Sequence, residues 1–334
     1  MSELENIVIT DAEDGQRLDR WLKKHFSGVS FGQMQKILRT GQLRIDGKRA
    51  KGDARLVTGQ VVRIPPQLRG IGVVVEREGV SPKDAAFIQS LVIYKDDDLI
   101  AINKPSGLAT QGGSKISRHV DGMLDALRYG HEERPHLVHR LDKDTSGVLL
   151  LARSTAAARE MGHIFAGRDI RKYYWAVTVP APQEPEGKIR SAIAKVEGRG
   201  GERMMAVDED SGKMALTMYH TVEALGDQIA WVAFWPRTGR THQIRVHAAQ
   251  IGCPLLGDGK YGYEEADEMV FNSILAGPEM AKNLHLHARR VIFEHPRTGK
   301  KVDITAPLDG HMKKTFAHLG FDYNDKTDHF KDVE

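Results

Sequence analysis

The order of apolar and polar positions divides the chain into a short helical start and a longer strand-rich remainder. In "RLDRWLKKHF" (17–26), Leu18, Trp21, Leu22 and Phe26 recur at helical spacing. "SFGQMQKILRTG" (30–41) repeats the pattern with Met34, Ile37 and Leu38, with Ser30 placed as N-cap and Gly41 as the stop. "QLRIDGK" then reads as a strand entering an Asp-Gly turn, and "GQVVRIPP" as a strand closed by prolines. Residues 67–85, "QLRGIGVVVEREGVSPKDA", are rich in glycine and charge and read as a linker.

Beyond the linker, "LVIYKDDDLIAINKPSG" predicts two strands around an acidic turn, and "HVDGMLDALRYG" a helix. Strands follow at "GVLLLAR", "IRKYYWAVTV", "KMALTMYHTVEAL", "QIAWVAFWP", "RRVIFEH" and "KKVDITA", with helices at "STAAAREMGHIFA" and "THQIRVHAAQIG". "KVEGRGGERMMAVDEDSGKM" looks like a loop. Strands outnumber helices and hairpin spacings predominate, which predicts an α+β fold with a mixed, mainly antiparallel β-sheet and flanking helices rather than a doubly wound sheet. The expected boundaries are 1–66 for a small first domain, 67–85 for the linker, 86–310 for the main domain and 311–334 for a polar, poorly packed tail.

Charge sharpens this division. Residues 17–66 hold twelve lysines and arginines against three acids, whereas residues 67–334 are near balance and the whole carries +3. A basic unit ahead of a neutral one fits a polyanion-binding module, although a solvated basic face reads equally well from charge alone. The polar, acidic start "MSELENIVITDAEDGQ" is no signal peptide, and no apolar run approaches the roughly 20 residues needed to cross a bilayer. Cys253 is the sole cysteine, so an internal disulfide and a thiolate zinc cluster are excluded. These features predict a cytoplasmic protein without membrane contact.

Three stretches carry candidate chemistry. "HRLDKDTSG" (139–147) sets Asp142 between Arg140 and Lys143, cations that favour an ionised carboxylate, with Asp144, Thr145 and Ser146 suited to holding a turn. The same residues allow a plain polar turn. They also match the Asp-x-Asp-x-Thr pattern of magnesium-dependent phosphatases, but that pattern needs an apolar strand before the aspartate, and here the strand comes after it. "PRTGRTHQIRVHAAQIGCPLLGDGKYG" (236–262) gathers Arg237, Arg240, His242, Arg245 and His247; on a helix Thr241 shares a face with Arg245, and Gln243 with His247. The spacing of His242 and His247 does not suit zinc, and His285 and His287 have no evident third ligand, so these read as hydrogen-bonded histidines. In "RKYYWAV" (171–177), Tyr173 and Trp175 face one side of a strand, and Tyr174 and Ala176 the other. No P-loop or dinucleotide fingerprint occurs, so no cofactor is expected.

Taken together, "HRLDKDTSG", "RKYYWAV", "GRTHQIRVHAAQIGCPLLGDGKYG" and "LHLHARRVIFEHPRTGK…APL" resemble the motifs of the RluA-type RNA pseudouridine synthases over roughly residues 90–308. The order "RLDRWL…ILRTGQLRIDGK" resembles the alpha-L RNA-binding domain named after ribosomal protein S-four. The resemblance implies an enzyme that isomerises specific uridines, most often in large-subunit ribosomal RNA, naked or in a precursor particle. It implies Asp142 as the catalytic aspartate, Arg245 as the arginine paired with it and Tyr174 as the active-site tyrosine, with Tyr173 the alternative if the register slips by one. For substrate binding it implies Arg140 entering the RNA, Ile244 as an apolar wall, and Arg240 and His242 beside them, with Lys23, Lys36, Arg39, Arg44 and Lys48 on the basic domain. The rival reading is a non-catalytic RNA-binding or ribosome-assembly factor.

Overall fold

The computed structural model describes residues 5–26, 29, 31–68, 79–113, 116–167, 169–198, 201–262 and 282–331. The chain forms two compact units, Met1–Gly79 and Val80–Glu334. The first holds β1 (Glu5–Val8), α1 (Leu18–His25), α2 (Phe31–Thr40), β2 (Arg44–Ile45), β3 (Lys48–Arg49) and β4 (Val61–Ile64), its sheet ordered β1-β4-β2-β3. The helical stripes close over that sheet: Leu18, Trp21, Leu22, Phe26, Met34 and Ile37 share one buried cluster with Ile45, Val62 and Ile64. The Asp46-Gly47 pair turns β2 into β3 with both φ angles positive, the conformation such hairpin turns require. The expected N-cap Ser30 and linker residues 69–78 lie outside the described residues. At the far end of the expected linker, Ser81 caps α3 (Pro82–Ser90), so Pro82–Ala85 are the first turn of a helix.

The second unit is α+β, with a mixed, mainly antiparallel sheet. Its strands are β5 (Val92–Lys95), β6 (Leu99–Lys104), β7 (His136–Leu137), β8 (Ser146–Ala152), β9 (Arg171–Thr178), β10 (Glu186–Gly198), β11 (Gly201–Val207), β12 (Lys213–Leu225), β13 (Ile229–Pro236), β14 (Leu286–Glu294) and β15 (Lys301–Thr305). They run in the order β11-β10-β12-β13-β9-β14-β8-β6-β5, with β15 on β14 and β7 on β8. Only β8 and β14 pair in parallel among the described strands. Helices α4 (Val120–Met123), α5 (Thr155–Gly167), α6 (Gln243–Gln250) and α7 (Gly310–Leu319) belong to the same unit. No described helix is long and apolar enough to cross a membrane.

The centre of the sheet is covered on both faces, and β13 is buried at every position. Trp175, Trp231 and Trp235 pack on one face with Phe316, Phe321 and Phe330. Ala176, Val232 and Phe234 pack on the other with Ile244 and Ala248 of α6. Two expectations are overturned here. The stretch read as a polar tail contributes core residues, because Met312, Phe316 and Leu319 lie on one face of α7 and seal the tryptophan side of the sheet. The stretch read as a loop forms the end of β10 and all of β11, where Ala192 to Gly198 pair with Val207 to Gly201 despite their charges.

Candidate active site

Asp142 sits at the carboxyl end of the loop preceding β8, on the sheet face that carries α6. The loop is fastened mainly through its backbone. Thr110 Oγ1 donates to the Leu141 carbonyl (2.7 Å) and accepts from the Leu141 N–H (3.3 Å), while Ser106 Oγ donates to the Asp144 carbonyl (2.8 Å). Lys104, with no exposed surface, donates to the carbonyls of Lys143 (3.0 Å), Pro105 (3.0 Å) and Leu108 (2.8 Å). Burial pushes the Lys104 ammonium down to about 8, against the opposing pull of Asp144 and Asp142. At the far end Gly147 has φ +107, and a Cβ there would lie 2.2 Å from the Ala288 carbonyl oxygen. Only glycine lets β8 approach β14 this closely.

Residue parity places the two tyrosines on opposite faces. Tyr173 is buried against Trp235 and Phe330, with ring centroids at 5.7 and 5.3 Å. Tyr174 is half-buried and packs against the clusters containing Leu141, Ala288, Ile244 and Phe234. Burial, and then the charge of Asp142, raise the pKa of its phenol, which keeps it protonated at neutral pH. Tyr174, not Tyr173, therefore shares the face of Asp142. Ile244, 5% exposed, adds an apolar side chain to the same face.

Helix α6 starts two residues later than the expected Thr241, with His242 in a left-handed conformation (φ 55) just before it. Gln243 and His247 do share a face and converge on Thr217 Oγ1 at 2.9 and 2.8 Å. Arg245 differs from expectation. Its guanidinium grips Asp258 bidentately, Nε to Oδ2 at 2.7 Å and Nη2 to Oδ1 at 2.6 Å, and Asp258 also accepts from the Lys260 and Tyr261 N–H groups. Burial opposes the charge on Arg245, but the Asp258 bonds outweigh it and its pKa rises, with Asp142 adding a smaller electrostatic pull. The carboxylate paired with Arg245 is thus Asp258, which a two-pronged guanidinium can meet head-on.

The nearest basic group to Asp142 is His242, whose Nε2 lies 3.7 Å from Oδ2. Arg140 and Lys143, its neighbours in sequence, are exposed and form no ion pair among the described residues. Arg240 is also exposed, its Nε donating to the Met214 carbonyl at 3.2 Å. On the first unit Lys23, Lys36, Arg39, Arg44 and Lys48 are all exposed, on α1, α2, β2 and β3.

His139, His285 and His287 are each held by hydrogen bonds. His139 accepts from the Leu150 N–H (2.9 Å) and stacks on Phe165, and burial takes it down to about 3. His285 Nε2 meets Thr315 Oγ1 and His287 Nδ1 meets Ser146 Oγ, each at 2.8 Å. His295 lies near Asp96 and Asp98, the closest approach to a metal-ligand set among the described residues. Its Nδ1 accepts the Arg297 and Thr298 N–H groups (both 3.2 Å), so its proton sits on Nε2 and no lone pair faces the carboxylates. Sequence reasoning missed Lys104, Thr110, Asp258 and Tyr261. A lone lysine ending the apolar strand "LIAINK" was the one available signal.

The electrostatics of Lys104, Tyr174, His242 and Arg245 all register the charge of Asp142. An accessible carboxylate, an apolar wall and a protonated phenol on one face can hold and attack a planar, uncharged ring.

Comparison with known proteins identifies the family. A family model described as RNA pseudouridylate synthase matches residues 98–250. Ribosomal large subunit pseudouridine synthase C of Escherichia coli (strain K12) is 37% identical over 318 residues, 94% of this chain and 96% of that protein. The protein of the same name from Rickettsia typhi is 35% identical over 298 residues, 87% of this chain and 93% of that one. The solved structure of human RNA Pseudouridylate Synthase Domain Containing 4 superposes with TM-score 0.60 at 27% identity, covering 71% of this chain and 97% of that chain. On these matches and the motifs that line its central sheet, the chain belongs to the RluA-type family of RNA pseudouridine synthases.

Proposed function

We propose that this synthase acts on uridines of large-subunit ribosomal RNA, with Asp142 as the reacting carboxylate. The observation that carries the reading is that the accessible Asp142 lies 3.7 Å from His242 at the start of α6, on the face where Tyr174 of β9 packs with Ile244. The reaction is an isomerisation and needs no co-reactant. The target uridine leaves the base stack, its N1–C1′ bond breaks, the uracil turns, and a C5–C1′ bond forms as the C5 proton is lost and N1 gains one. Asp142 attacks the nucleoside or assists the cleavage. Tyr174 stacks on the freed base against Ile244, and Arg245, held by Asp258, supplies positive charge to the pocket. Arg140, exposed beside Asp142, enters the RNA at the flipped position, and Arg240 contacts the backbone.

The large-subunit substrate is supported by what the relatives' names say they act on. The first unit, read as an S-four-type domain, brings Lys23, Lys36, Arg39, Arg44 and Lys48 to RNA phosphates, so affinity falls steeply with salt. A protein acting there works in the cytoplasm, on ribosomal RNA or a precursor particle. A pseudouridine map of ribosomal RNA from cells with and without the gene tests this. Loss of discrete large-subunit positions, restored by the wild-type gene, is expected. An unchanged map would remove the ribosomal substrate from the account.

A further inference from the structure

We propose that His242 is a positioning residue for Asp142: Tyr261 fixes the imidazole tautomer so that the Nε2 proton points at Asp142 Oδ2. The inference rests on Asp142 being the reacting carboxylate, and it reassigns a histidine expected to touch RNA.

The tautomer follows from a short chain of hydrogen bonds. The backbone N–H of Met204, on β11, donates to the Tyr261 phenol oxygen at 3.1 Å. That oxygen lies 2.8 Å from His242 Nδ1, the acceptor available to the phenolic proton among the described residues. An imidazole that accepts at Nδ1 carries its proton on Nε2. Nε2 is the atom 3.7 Å from Asp142 Oδ2. Burial, the largest influence on the ring, lowers its pKa below the ordinary histidine value, so the singly protonated form prevails at neutral pH. The charged groups facing the ring are Asp142, Arg245, Lys260 and Asp258.

The backbone supports the same reading. His242 adopts φ 55, a left-handed conformation that costs a side-chain-bearing residue roughly 1–2 kcal/mol and persists only where its surroundings hold it. Here they do: α6 begins at the next residue, the His242 carbonyl accepts from Val246 N–H at 2.9 Å, and the ring meets Tyr261 edge-on at 5.6 Å. The separation of 3.7 Å exceeds a hydrogen bond, which needs about 2.7–3.2 Å. A closure of somewhat under 1 Å on substrate binding would complete it, as catalytic hydrogen bonds commonly do. One carboxylate oxygen is then held by His242 and the other is left for the substrate.

The test compares His242→Ala, His242→Gln, Tyr261→Phe and Asp142→Ala in the full-length protein, on unmodified large-subunit ribosomal RNA, by single-turnover rate and RNA binding. His242→Ala should slow turnover about 10- to 100-fold, the worth of a hydrogen bond to a charged group, with the RNA dissociation constant changed less than threefold. His242→Gln, whose amide N–H can occupy the Nε2 position, should recover part of the rate. Tyr261→Phe should fall between. Weakened binding with an unchanged rate would make His242 an RNA contact and overturn the proposal. Equal losses in the Ala and Gln variants would make it structural, with the same consequence. Activity surviving in Asp142→Ala would instead refute the reading of the site on which the proposal stands.

Discussion

Replacing Asp258 with asparagine asks which carboxylate Arg245 depends on. The shape is kept, but the charge is lost and one oxygen becomes an NH2 group facing donors: the Arg245 guanidinium and the N–H groups of Lys260 and Tyr261. The two side chains are 11% and 0% exposed, so the stranded guanidinium has little water to turn to. Removing one partner of such a pair costs about 3–5 kcal/mol. Asp142→Asn should cost about 1 kcal/mol or less, since that side chain is 36% exposed and its nearest basic nitrogen is 3.7 Å away. Urea unfolding followed by tryptophan fluorescence measures both, because Trp175, Trp231 and Trp235 report on the second unit. At a typical slope the Asp258 variant should lose about 1–2 M in midpoint. Adding Arg245→Met completes two double-mutant cycles, and coupling should appear with Asp258 and be near zero with Asp142. Equal destabilisation by the two asparagines, or stronger coupling of Arg245 to Asp142, would refute the pairing described here.

Three further outcomes follow from the same geometry. Gly147→Ala should destabilise the protein by at least about 1–3 kcal/mol and abolish turnover, since the added methyl meets the Ala288 carbonyl at φ +107; a thermal scan with an activity assay reads both. Tyr174→Phe should lower turnover while Tyr173→Phe leaves it near wild type, because only Tyr174 shares the face of Asp142; the reverse order would exchange their roles. Burial holds His139, His285 and His287 down to about 3, so the unfolded chain binds more protons between pH 6.5 and 3. Stability should therefore be full above the ordinary histidine pKa and fall through that window, and His287→Gln should flatten the slope in urea titrations at stepped pH.

Elements whose burial is written locally were legible in the sequence. The helical stripe around Trp21, the apolar run of β8 and the alternation in "RKYYWAV" each predicted a structure and the face that it buries. What escaped depended on partners far along the chain. Phe316, Phe321 and Phe330 are spaced among charges, and only the tryptophans of β9 and β13, distant in sequence, make them core. Residues 195–207 carry glycines and charges that read as a loop, yet β10 supplies the backbone partner for β11. The site shows the same division. Asp142 and Tyr174 stood in recognisable motifs, whereas the basic side chains gathered near Asp142 come from far along the chain, its sequence neighbours Arg140 and Lys143 forming no ion pair among the described residues. Folding brings His242, Arg245 and Lys104 to it instead, and Arg245 takes Asp258, thirteen residues on, as its ion-pair partner.

The proposed mechanism places all of the chemistry on one carboxylate, that of Asp142. Purified wild-type protein and Asp142→Asn, shown to be equally stable and to bind unmodified large-subunit ribosomal RNA with equal affinity, can be compared for pseudouridine formed in a single turnover. Pseudouridine at discrete positions is expected with wild type and none with the variant. Pseudouridine formed by Asp142→Asn at a rate near wild type would contradict it.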